Sequence, residues 1–94
     1  MIFAPTNPLV PTERKIQADC QKVALLLQRE RERQDLSMTV LAERAGLSQQ
    51  SVSYIERGMR IPNLDTLFRI ADALGVELAA VISQAAKPAK RRQP

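Results

Sequence analysis

Gly46 divides the stretch from Ser37 to Gly58 into two segments, each with its own start signal and each only about two turns of helix long. Ser37 is a strong N-cap, its hydroxyl suited to an unpaired N–H of the first turn. Met38, Leu41, Ala42 and Ala45 then recur on one helical face. Gly46 supplies the positive φ that ends such a helix, with Leu47 to pin the turn. Ser48 caps the second segment, whose inner face carries Val52 and Ile55. At about 100° per residue, Gln49, Gln50, Ser53, Tyr54 and Arg57 group on its other side. Gly58 closes the unit.

The flanks read as more helix. Pro5, Pro8 and Pro11 exclude a helix from Met1 to Pro11, so residues 1–12 form an amino-terminal arm. Its Ile2, Phe3, Leu9 and Val10 leave two readings open, a disordered tail or an arm packed on a neighbour. Thr12 is the expected N-cap of a helix running to Gln34, about 33 Å long. Ile16, Cys20, Val23 and Leu27 fall on one stripe of it, with Leu25 and Leu26 off the stripe. After the loop Met59-Arg60-Ile61-Pro62, Asn63 caps an amphipathic helix through Leu64, Leu67, Ile70, Ala71 and Leu74, ended by Gly75. A last helix passes through Leu78, Val81 and Ile82 to about Ala85. Residues 87–94, with two prolines and four cations, read as a disordered basic tail. The expectation is an all-α fold of five helices over residues 13–86, with a long first helix and flexible tails.

Composition supports that reading and excludes others. Only 3% of the chain is aromatic, so the core must be built from Leu, Ile, Val, Ala and Met. The single Cys20 precludes an internal disulfide. With no histidine, an ordinary zinc site and the commonest general base are also absent. No nucleophile–base pair or metal cluster is visible, and neither an enzyme nor a cofactor is expected. No apolar run reaches the length of a membrane span and no signal peptide is evident, so a soluble cytoplasmic protein is expected. The net charge is +4, and Lys87, Lys90, Arg91 and Arg92 supply all of it, because the remainder carries ten charges of each sign. Any affinity for a polyanion such as DNA must therefore come from how charge is distributed, together with the basic tail.

Two capped helices across a glycine turn, the second with an amide-rich outer face, predict a helix-turn-helix that reads DNA in the major groove. The run resembles the Cro/repressor-type helix-turn-helix of lambdoid phage repressors and the bacterial XRE-like regulators. The residues carrying the resemblance are Arg31, Leu41-Ala42, Ala45-Gly46, Ser48-Gln49-Gln50-Ser51, Ile55-Glu56-Arg57-Gly58, Pro62, Leu67, Ile70-Ala71 and Leu74-Gly75-Val76. They extend from about Val23 to Ile82 and imply a lambda-repressor-like domain.

The resemblance implies roles for particular residues. It places Gln49, Gln50, Ser53 and Tyr54 over the bases, on a recognition helix of about residues 49–57. A glutamine amide can bond adenine as a bidentate pair, whereas the bland reading is a soluble residue at a helix start. Tyr54 can instead pack on a sugar or a thymine methyl. Ser48 and Ser51 can donate to phosphate, although the cap is the simpler role for Ser48. Arg57 and Arg60 flank Gly58, where the family's loop meets backbone phosphate.

Arg31 and Glu56 match a buried structural ion pair of that family. Met38 departs from the family's usual glutamine; its thioether cannot brace a phosphate and is expected to pack with Leu41 and Ala42. Leu78, Val81 and Ile82 correspond to a family-like homodimer surface. The expected partner is a double-stranded DNA operator; a toxin or other protein partner stays open. The alternative is a helical interaction module of the coactivator type that does not read bases.

Overall fold

The computed structural model describes residues 11–86, and among them five helices follow one another with no strand. They are α1 (Pro11–Arg33), α2 (Met38–Ala45), α3 (Gln49–Glu56), α4 (Leu64–Leu74) and α5 (Leu78–Ala86). Three of the starts are set by side chains. Ser37 Oγ accepts from the Val40 N–H at 3.1 Å, Ser48 Oγ from Ser51 at 3.0 Å and Asn63 Oδ1 from Thr66 at 2.8 Å. Each bond satisfies a first-turn donor that has no partner inside its helix.

The stops share one device. Asp35, Gly46, Gly58 and Gly75 have φ of 59°, 72°, 75° and 73°. After each, the next N–H bonds back to an earlier carbonyl, as in a Schellman closure: Leu36 to Arg31, Leu47 to Ala42, Met59 to Tyr54 and Val76 to Ala71, at 2.9–3.1 Å. Leu36, Leu47 and Val76 then turn onto the core, whereas Met59 is 62% exposed. Gly46 is the most constrained of these positions. Besides its left-handed φ, a Cβ there would lie 3.0 Å from Arg69 Nη1, which donates to the carbonyl of Ala45.

The core is aliphatic. α1 supplies Val23, Ala24 and Leu27; α2 supplies Leu41, Ala42 and Ala45; α3 supplies Val52 and Ile55. Ile70, Ala71 and Leu74 of α4 and Leu78 and Ala85 of α5 complete it. α2 packs against both α3 and α4, and α1 lies chiefly along α5. Met38 is half-buried against this core beside α2's other inward residues, so its packing role is seen directly.

Three sequence expectations change. α1 begins at Pro11, so Pro11 is helical and Thr12 lies within the first turn instead of capping it. Proline suits a first helical position because its φ is already helical and it lacks the N–H that would be unpaired there. The helix ends at Arg33, before Gln34, because Asp35 takes the left-handed conformation. The stripe on α1 is also only half used. Val23 is its first buried residue, while Ile16 is 55% exposed and Cys20 half-buried. The Lys15–Asp19 ion pair, at 2.8 Å and four residues apart, braces this projecting part. The arm before Pro11 and the basic tail after Ala86 lie outside the described residues.

Candidate nucleic-acid interface

α3 is held from behind. Val52 and Ile55 are 1% and 3% exposed, which turns the opposite side of an eight-residue helix outward. Its last residue, Glu56, is clamped to α1: Arg31 Nε donates to Oε2 at 2.7 Å and Nη2 to Oε1 at 2.9 Å. Arg31 Nη1 also donates to the carbonyl of Leu36, so one guanidinium joins α1, the turn before α2 and the end of α3. The Arg31 and Glu56 side chains are 12% and 8% exposed. Glu56 raises the Arg31 pKa above its ordinary value, chiefly through these hydrogen bonds, so the cation persists throughout the range in which proteins work. Sequence resemblance reached the ion pair; the Leu36 carbonyl as its third member had no sequence signal.

The outward residues form two connected groups. Ser48 Oγ, besides capping α3, donates to Ser51 Oγ at 2.9 Å. Ser51 Oγ accepts from Arg60 Nη1 at 3.3 Å. The Arg60 guanidinium carbon lies 5.4 Å from the centre of the Tyr54 ring, within cation–π range. Tyr54 Oη in turn accepts from Gln50 Nε2 at 2.8 Å. Ser48, Ser51, Arg60, Tyr54 and Gln50 are thus one continuous assembly across α3 and the loop after it. The second group is Ser53 with Arg57, whose Nη1 donates to Ser53 Oγ at 3.4 Å. Gln49 is exposed and makes no side-chain hydrogen bond to the described residues.

Sequence reasoning chose these residues separately and missed their linkage. The signal was available for Gln50 and Tyr54, which stand four apart on a helix and must be neighbours. The Arg60 contact depends on the path of the loop after Gly58 and could not be read from spacing. Arg69 was also missed: it bonds Asp65 Oδ2 at 2.9 Å and reaches across to the end of α2.

Of the residues expected at a dimer surface, Leu78 is 4% exposed and lies in the core of its own chain. Val81 is half-buried against that core, and Ile82 is 40% exposed. A second copy can therefore reach Ile82 and the outer part of Val81, but not Leu78. A concavity of about 370 Å³ lies between α1 and α5 and has no lining residue from α3. Among the described residues, no helix is long and apolar enough to cross a membrane.

The profile of the helix-turn-helix family matches residues 27–81, which contain α2, the turn, α3 and α4, with the end of α1 and the start of α5. An uncharacterised HTH-type transcriptional regulator of Mycobacterium tuberculosis is 49% identical over 47 residues, covering 50% of this chain and 34% of that protein. The immunity repressor protein of Bacillus phage phi105 is 37% identical over 54 residues, covering 57% of this chain and 38% of its own length. An uncharacterised HTH-type transcriptional regulator of Sinorhizobium fredii is 38% identical over 53 residues, 56% of this chain and 69% of that protein. The chain thus spans only about a third of the mycobacterial and phage proteins it resembles. No solved structure matches at the same level of significance. With over half its length matched by the family profile and the capped helix–glycine–helix unit at the centre of that match, the chain belongs to the helix-turn-helix family of the Cro/repressor type.

Proposed function

We propose that this chain is a transcriptional regulator that binds double-stranded DNA sequence-specifically, with α3 entering the major groove. The observation that carries the reading is the outward face of α3. Five hydrogen-bonding side chains, Gln49, Gln50, Ser51, Ser53 and Tyr54, stand on a helix whose inner face and last residue are fixed to the core. Gln49 and Gln50 present amides to base edges, and Arg57 and Arg60 lie where the helix end and following loop meet phosphate. The relatives named as transcriptional regulators and as a phage immunity repressor support the same reading. The protein acts as a homodimer, with Ile82 in the contact and recognition helices about 34 Å apart on one face of the duplex. Selection of bound sites from random duplex tests it: a two-fold symmetric motif is expected, and retention without sequence preference refutes it.

A second reading, an interaction module that does not read bases, draws on a different observation. Met59, Ile61, Leu64 and Phe68 are each 54–62% exposed, and the described residues carry no net charge. A module of that kind returns no motif in the same experiment.

A further inference from the structure

We infer that Tyr54 is a positioning residue for base recognition: its hydroxyl orients the Gln50 amide, and its ring carries Arg60, coupling a backbone anchor to a base reader. The inference rests on the DNA-binding reading above.

An exposed glutamine at a helix start samples many rotamers and both amide orientations. Fixing them on contact with DNA costs side-chain entropy. Here the 2.8 Å bond from Nε2 to Tyr54 Oη holds the side chain in one rotamer against the helix before any ligand arrives. The amide nitrogen has two hydrogens, so one still points elsewhere, beside a free Oε1. That remaining donor and acceptor are the pair that matches N7 and N6 of adenine. Without the hydroxyl the side chain leaves that rotamer and its amide no longer stands at one place before a base edge, so the loss falls on discrimination.

Tyr54 is itself restrained. Arg60 lies 5.4 Å above its ring while donating to Ser51 Oγ, so the guanidinium spans two side chains three residues apart on α3. A guanidinium has five N–H donors, and the contact to Ser51 uses one of them. Others are left for a phosphate oxygen while the ring stacking is kept. Arg60 comes from the loop beyond the helix, so backbone contact there reaches the Gln50 amide through Tyr54.

Tyr54→Phe keeps the ring and removes the hydroxyl. The base pair that depends on Gln50 is identified first, by comparing the sites selected by wild type and by Gln50→Ala. Competition binding then measures preference at that pair. Tyr54→Phe is expected to reduce it about 2- to 12-fold, the equivalent of one net hydrogen bond, with other pairs and the salt slope unchanged. Adding Tyr54→Phe to Gln50→Ala should produce no further loss at that pair. Arg60→Ala should lower the salt slope by about 0.9 and also weaken preference at the Gln50 pair.

Wild-type discrimination by Tyr54→Phe, while Gln50→Ala loses it, overturns the inference and leaves the DNA-binding reading intact. Losses from Tyr54→Phe and Gln50→Ala that simply add also overturn it, and an Arg60→Ala effect confined to the slope overturns the coupling. If wild type selects no motif, or Gln50→Ala selects the wild-type motif, the role of Gln50 fails and the inference falls with it. In the free protein, nuclear Overhauser contacts from a Gln50 amide proton to the Tyr54 ring are expected, and their absence refutes the orientation independently of DNA.

Discussion

Removing Arg31 should be the most damaging change of a charged side chain in the described residues. Arg31→Met leaves the Glu56 carboxylate, whose side chain is 8% exposed, without its two short hydrogen bonds, and takes a donor from the Leu36 carbonyl. Solvent reaches that carboxylate too little to replace them. Stranding one partner of such a pair costs about 3–5 kcal/mol, and the extra orphaned carbonyl puts Arg31→Met toward the upper end. Glu56→Leu should cost less, near 3 kcal/mol, because the guanidinium keeps the Leu36 carbonyl and has Glu32 at 3.9 Å. A domain of this size has only about 4–11 kcal/mol in total, so Arg31→Met should lower Tm by at least about 12 °C and be partly unfolded near 37 °C. The double variant should recover most of the loss, since two apolar residues leave no uncompensated charge. Urea melts of the two singles and the double at pH 7 measure all three values, and equal m-values keep the comparison two-state. Single losses below about 1 kcal/mol that simply add would refute the reasoning, because that is how a solvent-screened surface pair behaves.

Asp35 holds a left-handed φ of 59° without being glycine, so Asp35→Gly should raise stability by about 0.5–1 kcal/mol in the same melts. Glu30 is held down to about pKa 2, first by hydrogen bonds from Arg33 and then by that from Gln34. Its contribution is therefore fully present above its ordinary value of 4.5 and is lost as pH falls toward about 2. Glu30→Gln should flatten the acid limb of the stability curve across that window and leave the curve above pH 6 parallel to wild type. Cutting after Ala86 removes Lys87, Lys90, Arg91 and Arg92 and should flatten the salt dependence of DNA binding by roughly 3–4 units per subunit, with the selected motif unchanged.

Helix punctuation was legible because it is local. Ser37, Ser48 and Asn63 cap through bonds that reach three residues, and Gly46, Gly58 and Gly75 stop helices within five. The core face was legible from Val23 onward for the same reason: the period names the inward residues. It does not say how far a partner extends, so Ile16 lies on the stripe but beyond the described residues that cover Val23 and Leu27. Leu78 was placed at a dimer surface by resemblance, and neither resemblance nor period separates a residue packed at home from one offered to a second copy. Asp35 was missed because only context distinguishes a left-handed aspartate from an ordinary one. On the outward side of α3 the sequence named the exposed side chains but not their mutual contacts, since Arg60 reaches Tyr54 along a loop whose path the sequence does not print.

The way α3 is fastened has a consequence for how such a protein changes over generations. The side chains that pack or clamp the helix, Val52, Ile55 and Glu56, belong to the side turned away from solvent. Gln49 and Gln50 are exposed, and replacing an exposed side chain ordinarily alters stability by no more than about 0.5 kcal/mol. Drift at those positions is thus nearly free of selection on folding, and a library randomised there should fold almost throughout. Tyr54 is the exception, half-buried and bound to two neighbours, so a substitution there should disturb the surface more than one at Gln49.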